Sequence, residues 1–322
     1  MFNNITDVPG VSAGHASDRK GLTGCTAVIF KGGAVGSMDV RGPATSTRQV
    51  DSLRPGHVVG RIQAIMLSGG SAYGLDSSGG ALKYLEEMGR GTPTPYAVVP
   101  SVPTAVIFDL SIGDPKARPG PAMGYEACRA AARGRLESGS AGAGTGATVG
   151  KAGGIERAMK GGIGGASARL RSGTIAGVIT VVNAFGDVLD ASTGKIIAGM
   201  RDRKDGRALP GSLRFMRDGG NPADAHFQNT TISVVATDAK LSREEALWIS
   251  QLAQDTYARS ISPCHTRFDG DVTFAVSTGE KSEDLHHLGL VIQELVSRSI
   301  ESAVREADGF GILPAWRDIS GG

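Results

Sequence analysis

The chain has 322 residues, enough for one large domain or two smaller ones, with 34 basic and 32 acidic side chains. The net charge of +2 is too small to favour nucleic acid or an anionic membrane surface as a partner. Three widely spaced cysteines indicate neither a disulfide framework nor a thiolate zinc site. Without a signal-like start or a long apolar run, the sequence predicts a cytoplasmic protein.

The first part of the chain mixes short predicted strands and helices with many turns. The whole chain has 48 glycines, about twice the usual share of ~7 %. Proline breaks one β-rich stretch, and glycine ends one helix. In chain order, we predict a β-forming run at 26–30, helices at 58–66 and from Gly74 to about 88, strands within 97–110, and a helix at 122–134.

The second part begins with a glycine-rich stretch that brings the backbone close to another group. A β-meander and an exposed loop follow, and a capping box formed by Ser242 and Glu245 then opens a helix. The predicted segments are the glycine-rich stretch 138–165, the meander 166–200, the loop 201–228, strands 230–237 and 271–277, and helices 242–260 and 284–307. Their mixed order, without a regular βαβ rhythm, predicts a layered α/β or α+β fold.

Several short motifs match known chemistry only in part. Residues 142–147 fit a dinucleotide pattern but follow no strand, and Lys151 lacks the hydroxyl residue that a phosphate-binding loop needs next. Ser71 lies in GGSAYG, which departs from the spacing of a hydrolase elbow. The histidines lack metal-ligand spacing and are interpreted as surface or core residues: His15, His57, His226, His265, His286 and His287. We therefore infer no metal and no organic cofactor.

Two other features suggest catalysis, although each also has a purely structural interpretation. A cut before Thr230 would leave a hydroxyl and an α-amine on one residue, an arrangement that activates a weak nucleophile. Asn229 and Thr230 stand where a polar loop meets a predicted strand. Asp269 and Asp271 stand two apart at the head of the next strand, where paired carboxylates raise one pKa. A strand start and a solvated or ion-binding turn are the respective alternatives.

Taken together, six segments of the chain resemble the self-processing aminopeptidase family called P1 or S58. This family includes the L-aminopeptidase/D-esterases, the β-aminopeptidases and the endo-type nylon-oligomer hydrolases. The resemblance spans nearly the whole chain, in the same order. The segments are VPGVSAGH at 8–15, LSGGSAYGL at 67–75, GTGATVGK at 144–151, KGGIG at 160–164, VNA at 182–184 and NTTISVVATD at 229–238.

The resemblance implies an αββα sandwich in one domain, 1–322, that cleaves itself into chains 1–229 and 230–322 and assembles as a tetramer of cleaved pairs. It also implies roles for individual residues. Asn229 and Thr230 would flank the cut, and Thr230 would be the nucleophile of an amide hydrolase. Asp269 and Asp271 would orient and deprotonate it, Lys151 would sit beside it, Asn183 would donate to the oxyanion, and Tyr73 would line the pocket.

Two features make the chain more similar to the nylon-oligomer-hydrolase branch. The β-aminopeptidase branch has Ser after Gly at the cut and a Ser-x-Glu pair downstream, whereas this chain has Asn229-Thr230 and Asp269-Gly-Asp271. Phe108 stands where the β-aminopeptidases have a pocket tyrosine, so no phenol acts there. The substrates implied are small peptides, amino-acid amides or linear oligoamides. Alternatives are an uncleaved serine amidase or esterase using Ser71 or another serine, and an inert ligand-binding protein on the same scaffold.

Overall fold

The computed structural model describes residues 1–222 and 229–320. Its strands are β1 (Val11–Asp18), β2 (Thr23–Arg41), β3 (Thr47–Arg48), β4 (Ile62–Ser68), β5 (Thr92–Pro93), β6 (Val98–Val99), β7 (Thr104–Val106), β8 (Thr148–Val149), β9 (Met159–Lys160), β10 (Gly162–Arg169), β11 (Ile175–Asn183), β12 (Asp187–Leu189), β13 (Ile196–Ala198), β14 (Thr230–Ala239), β15 (Ile261–Ser262) and β16 (Asp271–Lys281). Its α-helices are α1 (Ser77–Glu87), α2 (Pro121–Arg129), α3 (Ser212–Arg217), α4 (Arg243–Ser260), α5 (Leu285–Arg305) and α6 (Trp316–Ser320).

One long strand, β2, connects two sheets. Its first half pairs with β1 and β4, and its second half pairs with β16. The register changes between Ile29 and Ala34, where Gly33 has a φ of +69° that an L side chain rarely adopts. The strand order is β10-β11-β14-β16-β2-β4-β7-β3, with β1 also on β2. Because β2 pairs in both halves of this order, it passes from one sheet to the other.

Three apolar clusters hold the layers together. The first lies between the two sheets and includes Val28 and Leu67 from one sheet and Ile179 and Ile232 from the other. A second joins the β11–β14–β16 half to α4 and α5, and a third joins the β2–β4 half to α1 and α2. The architecture is therefore a four-layer αββα sandwich, as the sequence resemblance implied.

Strand β14 shows why this arrangement follows from the sequence. Ile232 and Val234 face the other sheet, whereas Val235, the next residue, faces the helices. A strand covered on both faces is buried at every position, and all of β14 is buried. Its side chains are apolar or are the small hydroxyl residues Thr and Ser, apart from Asp238 near its end. At the start of α4, Ser242 and Glu245 form the predicted capping box, with the Glu245 N–H 3.1 Å from the Ser242 Oγ.

One of the predicted elements was wrong, and another was right only in part. Residues 58–66 do not form a helix, because Ile62–Ser68 is the buried strand β4. A short apolar run fully covered by protein has the same pattern in a strand and in a buried helix. The predicted exposed loop 201–228 contains the helix Ser212–Arg217, and Arg201 is only 4 % exposed. Residues 223–228, including His226, lie outside the described residues.

The glycine-rich stretch packs against the protein's own chain. A Cβ at Gly142 would lie 2.3 Å from the Thr26 Oγ1, and one at Gly144 would lie 2.3 Å from the Ile163 N. These glycines therefore permit close packing between loop and strands, as the composition indicated. Separately, no helix in the part of the chain that the structure describes is long and apolar enough to span a bilayer.

Candidate active site

Three strand ends meet at one edge of the β11–β14–β16 sheet. Strand β11 ends at Asn183, directly opposite Thr230 at the start of the antiparallel β14. Strand β16 runs parallel to β14 and begins at Asp271. An isolated parallel bridge between Asn229 and Asp269 continues the same register ahead of both strands. The sheet topology therefore brings the predicted site residues together from distant parts of the chain.

Asn229, the residue before the bond to Thr230, is buried, and both of its backbone polar groups are hydrogen-bonded. Asn229 donates its N–H to the Phe268 carbonyl at 2.8 Å, and its own carbonyl accepts the Gly270 N–H at 2.7 Å. Only glycine fits at 270, because a Cβ there would lie 2.5 Å from the backbone of Ala44. The Asn229 carbonyl is thus fixed and polarised by a backbone donor.

The two predicted carboxylates flank Gly270, and both are about 2 % exposed. Asp269 accepts hydrogen bonds from the Thr266 N–H at 2.9 Å and the Thr266 hydroxyl at 2.7 Å. Asp271 accepts the Thr231 N–H at 2.6 Å. Burial, followed by the negative charge of Asp271, raises the pKa of Asp269 to about 6. Such a pair can hold one proton between two acidic groups.

Lys151 and Asn183 form the other side of the site. The Lys151 Nζ is 2.9 Å from the Asn183 Oδ1 and 3.0 Å from the Asn183 carbonyl oxygen. The Asn183 Oδ1 also accepts the Thr148 N–H, while its Nδ2 donates to the Phe108 carbonyl at 3.1 Å. These contacts fix the amide orientation opposite Thr230. Phe108 takes part through its backbone, in keeping with its lack of a phenol.

Burial controls the charge of Lys151. The side chain is only 2 % exposed, and burial lowers the pKa of Lys151 to about 7, with Lys160 lowering it further and Asp269 and Asp109 opposing. A neutral amine has two N–H groups and one lone pair. Because both N–H groups can serve the Asn183 oxygens, the lone pair remains able to accept a proton.

A second buried pair of charges, Lys160 and Asp109, adjoins the site. Lys160 donates to the carbonyls of Thr145 at 2.9 Å and Ala147 at 2.7 Å, and burial lowers its pKa to about 7. Asp109 accepts the Thr23 hydroxyl and the Gly70 N–H, and burial raises its pKa to about 6. Asp109 was not among the predicted site residues. Its one signal was a lone carboxylate after the apolar stretch that ends at 108.

His265 was also missed as a site residue. Its Nδ1 lies 2.8 Å from the Asp271 Oδ2, so this histidine is neither a plain surface residue nor a plain core residue. Nothing in its spacing marked it, because the contact depends on how the 263–270 loop folds back on itself. Across residues 1–222 and 229–320, no group of three or more His, Cys, Asp or Glu side chains could hold a metal.

Tyr73 and Ser71 lie apart from this group. Tyr73 is 56 % exposed and stacks under the Arg118 guanidinium at 3.6 Å. No hydrogen bond joins Tyr73 to Thr230, Lys151 or the carboxylates within the described residues. Ser71 follows β4 and has a φ of +54°, a geometry like that of a nucleophile elbow. In the described parts of the chain, however, its hydroxyl bonds to no histidine or carboxylate that could activate it.

The buried hydroxyl, lysine and paired carboxylates around a polarised carbonyl define a hydrolase of amide or peptide bonds, and comparisons with known proteins agree. Peptidase family S58 matches residues 3–310, so the chain belongs to that family. It is 38 % identical to the "Uncharacterized aminopeptidase Rv1333" of Mycobacterium tuberculosis, over 99 % of this chain and 98 % of the relative. It is 33 % identical to the 6-aminohexanoate-oligomer endohydrolase of Kocuria sp., over 85 % of this chain and 74 % of the relative.

Solved structures confirm the fold. A Burkholderia sp. β-aminopeptidase superposes with a TM-score of 0.71 at 19 % identity, over 99 % of this chain and 92 % of that one. A second match is the L-aminopeptidase D-Ala-esterase/amidase from Ochrobactrum anthropi, described as a variant of the Ntn-hydrolase fold. It superposes with a TM-score of 0.72 at 18 % identity, over 95 % of this chain and 87 % of that one. At these identities the likeness concerns the architecture alone.

Proposed function

We propose that this chain is an N-terminal-nucleophile amide hydrolase that cuts itself between Asn229 and Thr230 and then uses Thr230 on external amides. The observation that carries this proposal is the geometry of the Asn229 carbonyl, which is fixed by the Gly270 N–H at 2.7 Å next to a buried lysine and a carboxylate pair. An ordinary buried strand start needs none of these groups.

The proposed cut is an N-to-O acyl shift followed by hydrolysis. The Thr230 Oγ1 attacks the Asn229 carbonyl carbon, and its proton passes to a base. The oxyanion develops on the Asn229 oxygen, where the Gly270 N–H already points. The C–N bond then breaks as the Thr230 nitrogen takes up a proton, leaving an ester. Water hydrolyses the ester, which frees a carboxylate at Asn229 and both the amine and the hydroxyl of Thr230.

Lys151 is the base proposed for this first step. It has a pKa near neutrality and bonds to Asn183, the residue directly opposite Thr230 in the sheet. Opposite residues in an antiparallel pair stand about 5 Å apart, which is within reach of a lysine amine. Asp269 and Asp271 flank Gly270, which donates to the carbonyl at the cut, and the charges of Asp269 and Asp109 favour the protonated form that Lys151 acquires.

In turnover, the free Thr230 amine and hydroxyl act together on a substrate carbonyl. The Asn183 amide has a second N–H beyond the one given to Phe108, and it donates to the substrate oxyanion. Tyr73 offers an exposed aromatic wall for the substrate. The proposed substrates are small peptides, amino-acid amides or linear oligoamides, because the chain combines aminopeptidase relatives with a 6-aminohexanoate-oligomer endohydrolase.

We also propose a cytoplasmic tetramer of cleaved pairs. Large apolar side chains are exposed on the single chain, among them Val58 at 95 % and Tyr96 at 96 %. Association would remove such groups from water. Light scattering should give about four times the chain mass of 33.1 kDa, and a monomer at micromolar concentration would contradict this assembly.

Self-cleavage should depend on pH through Lys151. The neutral amine is the active form, and its pKa is about 7, so the rate should rise with pH and level off above neutrality. At pH 6 we expect a rate about tenfold below the plateau. The measurement is the intact mass over time for chain synthesised in a cell-free system at each pH. A rate that falls between pH 6 and pH 8 would contradict this assignment.

The experiment that tests the proposed function combines mass with activity. Purified protein should consist of chains 1–229 and 230–322, and it should hydrolyse amino-acid p-nitroanilides or linear 6-aminohexanoate oligomers. A Ser71→Ala variant should retain this activity within about threefold, because Ser71 bonds to no base among the described residues. Loss of activity in Ser71→Ala with no cut at Thr230 would instead favour the serine amidase. Binding of these amides without turnover would favour the ligand-binding protein.

A further inference from the structure

The Asp271 carboxylate connects two parts of the site. One oxygen accepts the N–H of Thr231, the residue after the proposed nucleophile, at 2.6 Å. The other lies 2.8 Å from the Nδ1 of His265 in the loop before β16. The His265 side chain is only 18 % exposed and that of Asp271 is 3 % exposed. Water therefore screens this contact weakly.

The two carboxylates of the pair have different partners. Thr266 donates hydrogen bonds to Asp269 from its N–H and its hydroxyl, which are both neutral groups. Its neighbour His265 contacts Asp271 and carries a full positive charge when protonated. A hydrogen bond from a cation stabilises a carboxylate more than one from a neutral donor. The negative charge of the pair therefore belongs on Asp271, and the proton belongs on Asp269.

The surroundings of His265 allow the ring to be charged. Burial opposes protonation, but the hydrogen bond and the charge of Asp271 raise the pKa of His265 above its ordinary 6.5, and the Gln254 carbonyl adds to this. Arg41 acts in the opposite direction, yet its guanidinium is itself bonded to two carboxylates. The titratable and charged groups around the ring are Asp269, Asp271 and Cys264 from its own loop and β16, Arg41 and Asp39 from β2, and Asp255 and Tyr257 from α4.

We propose that His265 is a positioning residue whose imidazolium keeps Asp271 ionised and aimed at the start of β14, so that the proton of the carboxylate pair resides on Asp269. The ion pair is a property of the uncleaved chain, while its effect on hydrolysis rests on the proposed function. His265 has a φ of +51°, which asparagine and glycine tolerate. These two residues are therefore the substitutions least prone to unfold the loop.

The first test observes the histidine directly. Full-length Thr230→Ala protein with ¹⁵N-labelled histidines should show a His265 titration midpoint above 6.5, assigned by its loss in His265→Asn. Adding Asp271→Asn should lower that midpoint by about one pH unit or more, because the opposite charge is removed. Asp269→Asn is the matched control and should shift it less. A His265 titration midpoint that does not change on Asp271→Asn would overturn the proposal.

The second test separates charge from simple support. His265→Asn retains an N–H donor without the positive charge, whereas His265→Gly removes both. In His265→Asn the acid limb of kcat/KM should move to higher pH by about one unit, with little change on the plateau. His265→Gly should show the same shift and a lower plateau. A uniform loss of rate at all pH values, without a shift of the acid limb, would reject the charge role.

Failure of the proposed function can be distinguished from failure of this inference. A chain that neither cuts itself nor hydrolyses amides would reject the proposed function, while the titration of His265 would still test its ion pair with Asp271.

Discussion

A Thr230→Ala variant is expected to stay a single chain of 322 residues and to lose amide hydrolysis by at least about 10⁴-fold. Without the hydroxyl no acyl shift can begin, so the α-amine of residue 230 is never released. The substitution removes a hydroxyl and a methyl group from a side chain that is only 3 % exposed. The fold should persist, since the rest of β14 and its pairings remain. Intact mass and p-nitroanilide release measure the two effects.

Thr230→Ser is the matched control for this prediction. Serine keeps the hydroxyl and loses only a methyl group, so the chain should still cut at the same bond and still turn over substrate. Circular dichroism melting of all three proteins separates chemistry from folding. Cleavage of Thr230→Ala at the wild-type rate would show that another nucleophile or a contaminating protease makes the cut.

Lys151→Met should slow self-cleavage by about 10²- to 10⁴-fold, the usual contribution of a general base. Methionine fills a similar volume, and it removes the cost of burying an amine whose pKa burial lowers to about 7. The variant should therefore fold at least as stably as wild type. The Asn183 Oδ1 keeps its hydrogen bond from the Thr148 N–H, so the neighbouring amide stays oriented. The self-cleavage rate is measured as the decrease over time in the amount of uncleaved chain, detected by its intact mass.

Lys160→Met provides the control for that prediction. Lys160 is as deeply buried and has a similarly lowered pKa, but its amine bonds to the carbonyls of Thr145 and Ala147 instead of Asn183. Cleavage should continue, with a pH midpoint moved slightly upward because a positive neighbour of Lys151 is gone. Equal losses in the two variants would show that any buried charge suffices and that Lys151 is not the base.

The sequence predicted much of the secondary structure where the pattern was strong. The strand at 230–237 and the helix at 284–307 were confirmed because long β-branched and 3.6-residue patterns leave few alternatives. Periodicity could not predict the two-sheet architecture. That depends on β2 pairing in both sheets, with a register change between Ile29 and Ala34. Only 26–30 of this 19-residue strand was predicted. The αββα arrangement came from the family resemblance alone.

The site residues likewise fall into those that the sequence could predict and those that it could not. Asp269 and Asp271 could be flagged from their spacing, and burial of the pair accounts for the raised pKa of Asp269. Asp109 and His265 could not be flagged, since one joins Gly70 across 39 positions and the other depends on a loop conformation with positive φ. Such contacts follow from chain packing, which no local pattern encodes.

The most direct test of self-cleavage is a time course of intact mass for chain made in a protease-free cell-free system, followed at several protein concentrations. We expect the full chain to convert into 1–229 and 230–322 by a first-order process whose rate constant does not depend on protein concentration. A chain that stays whole, a cut at another bond, or a rate that rises with protein concentration would contradict it.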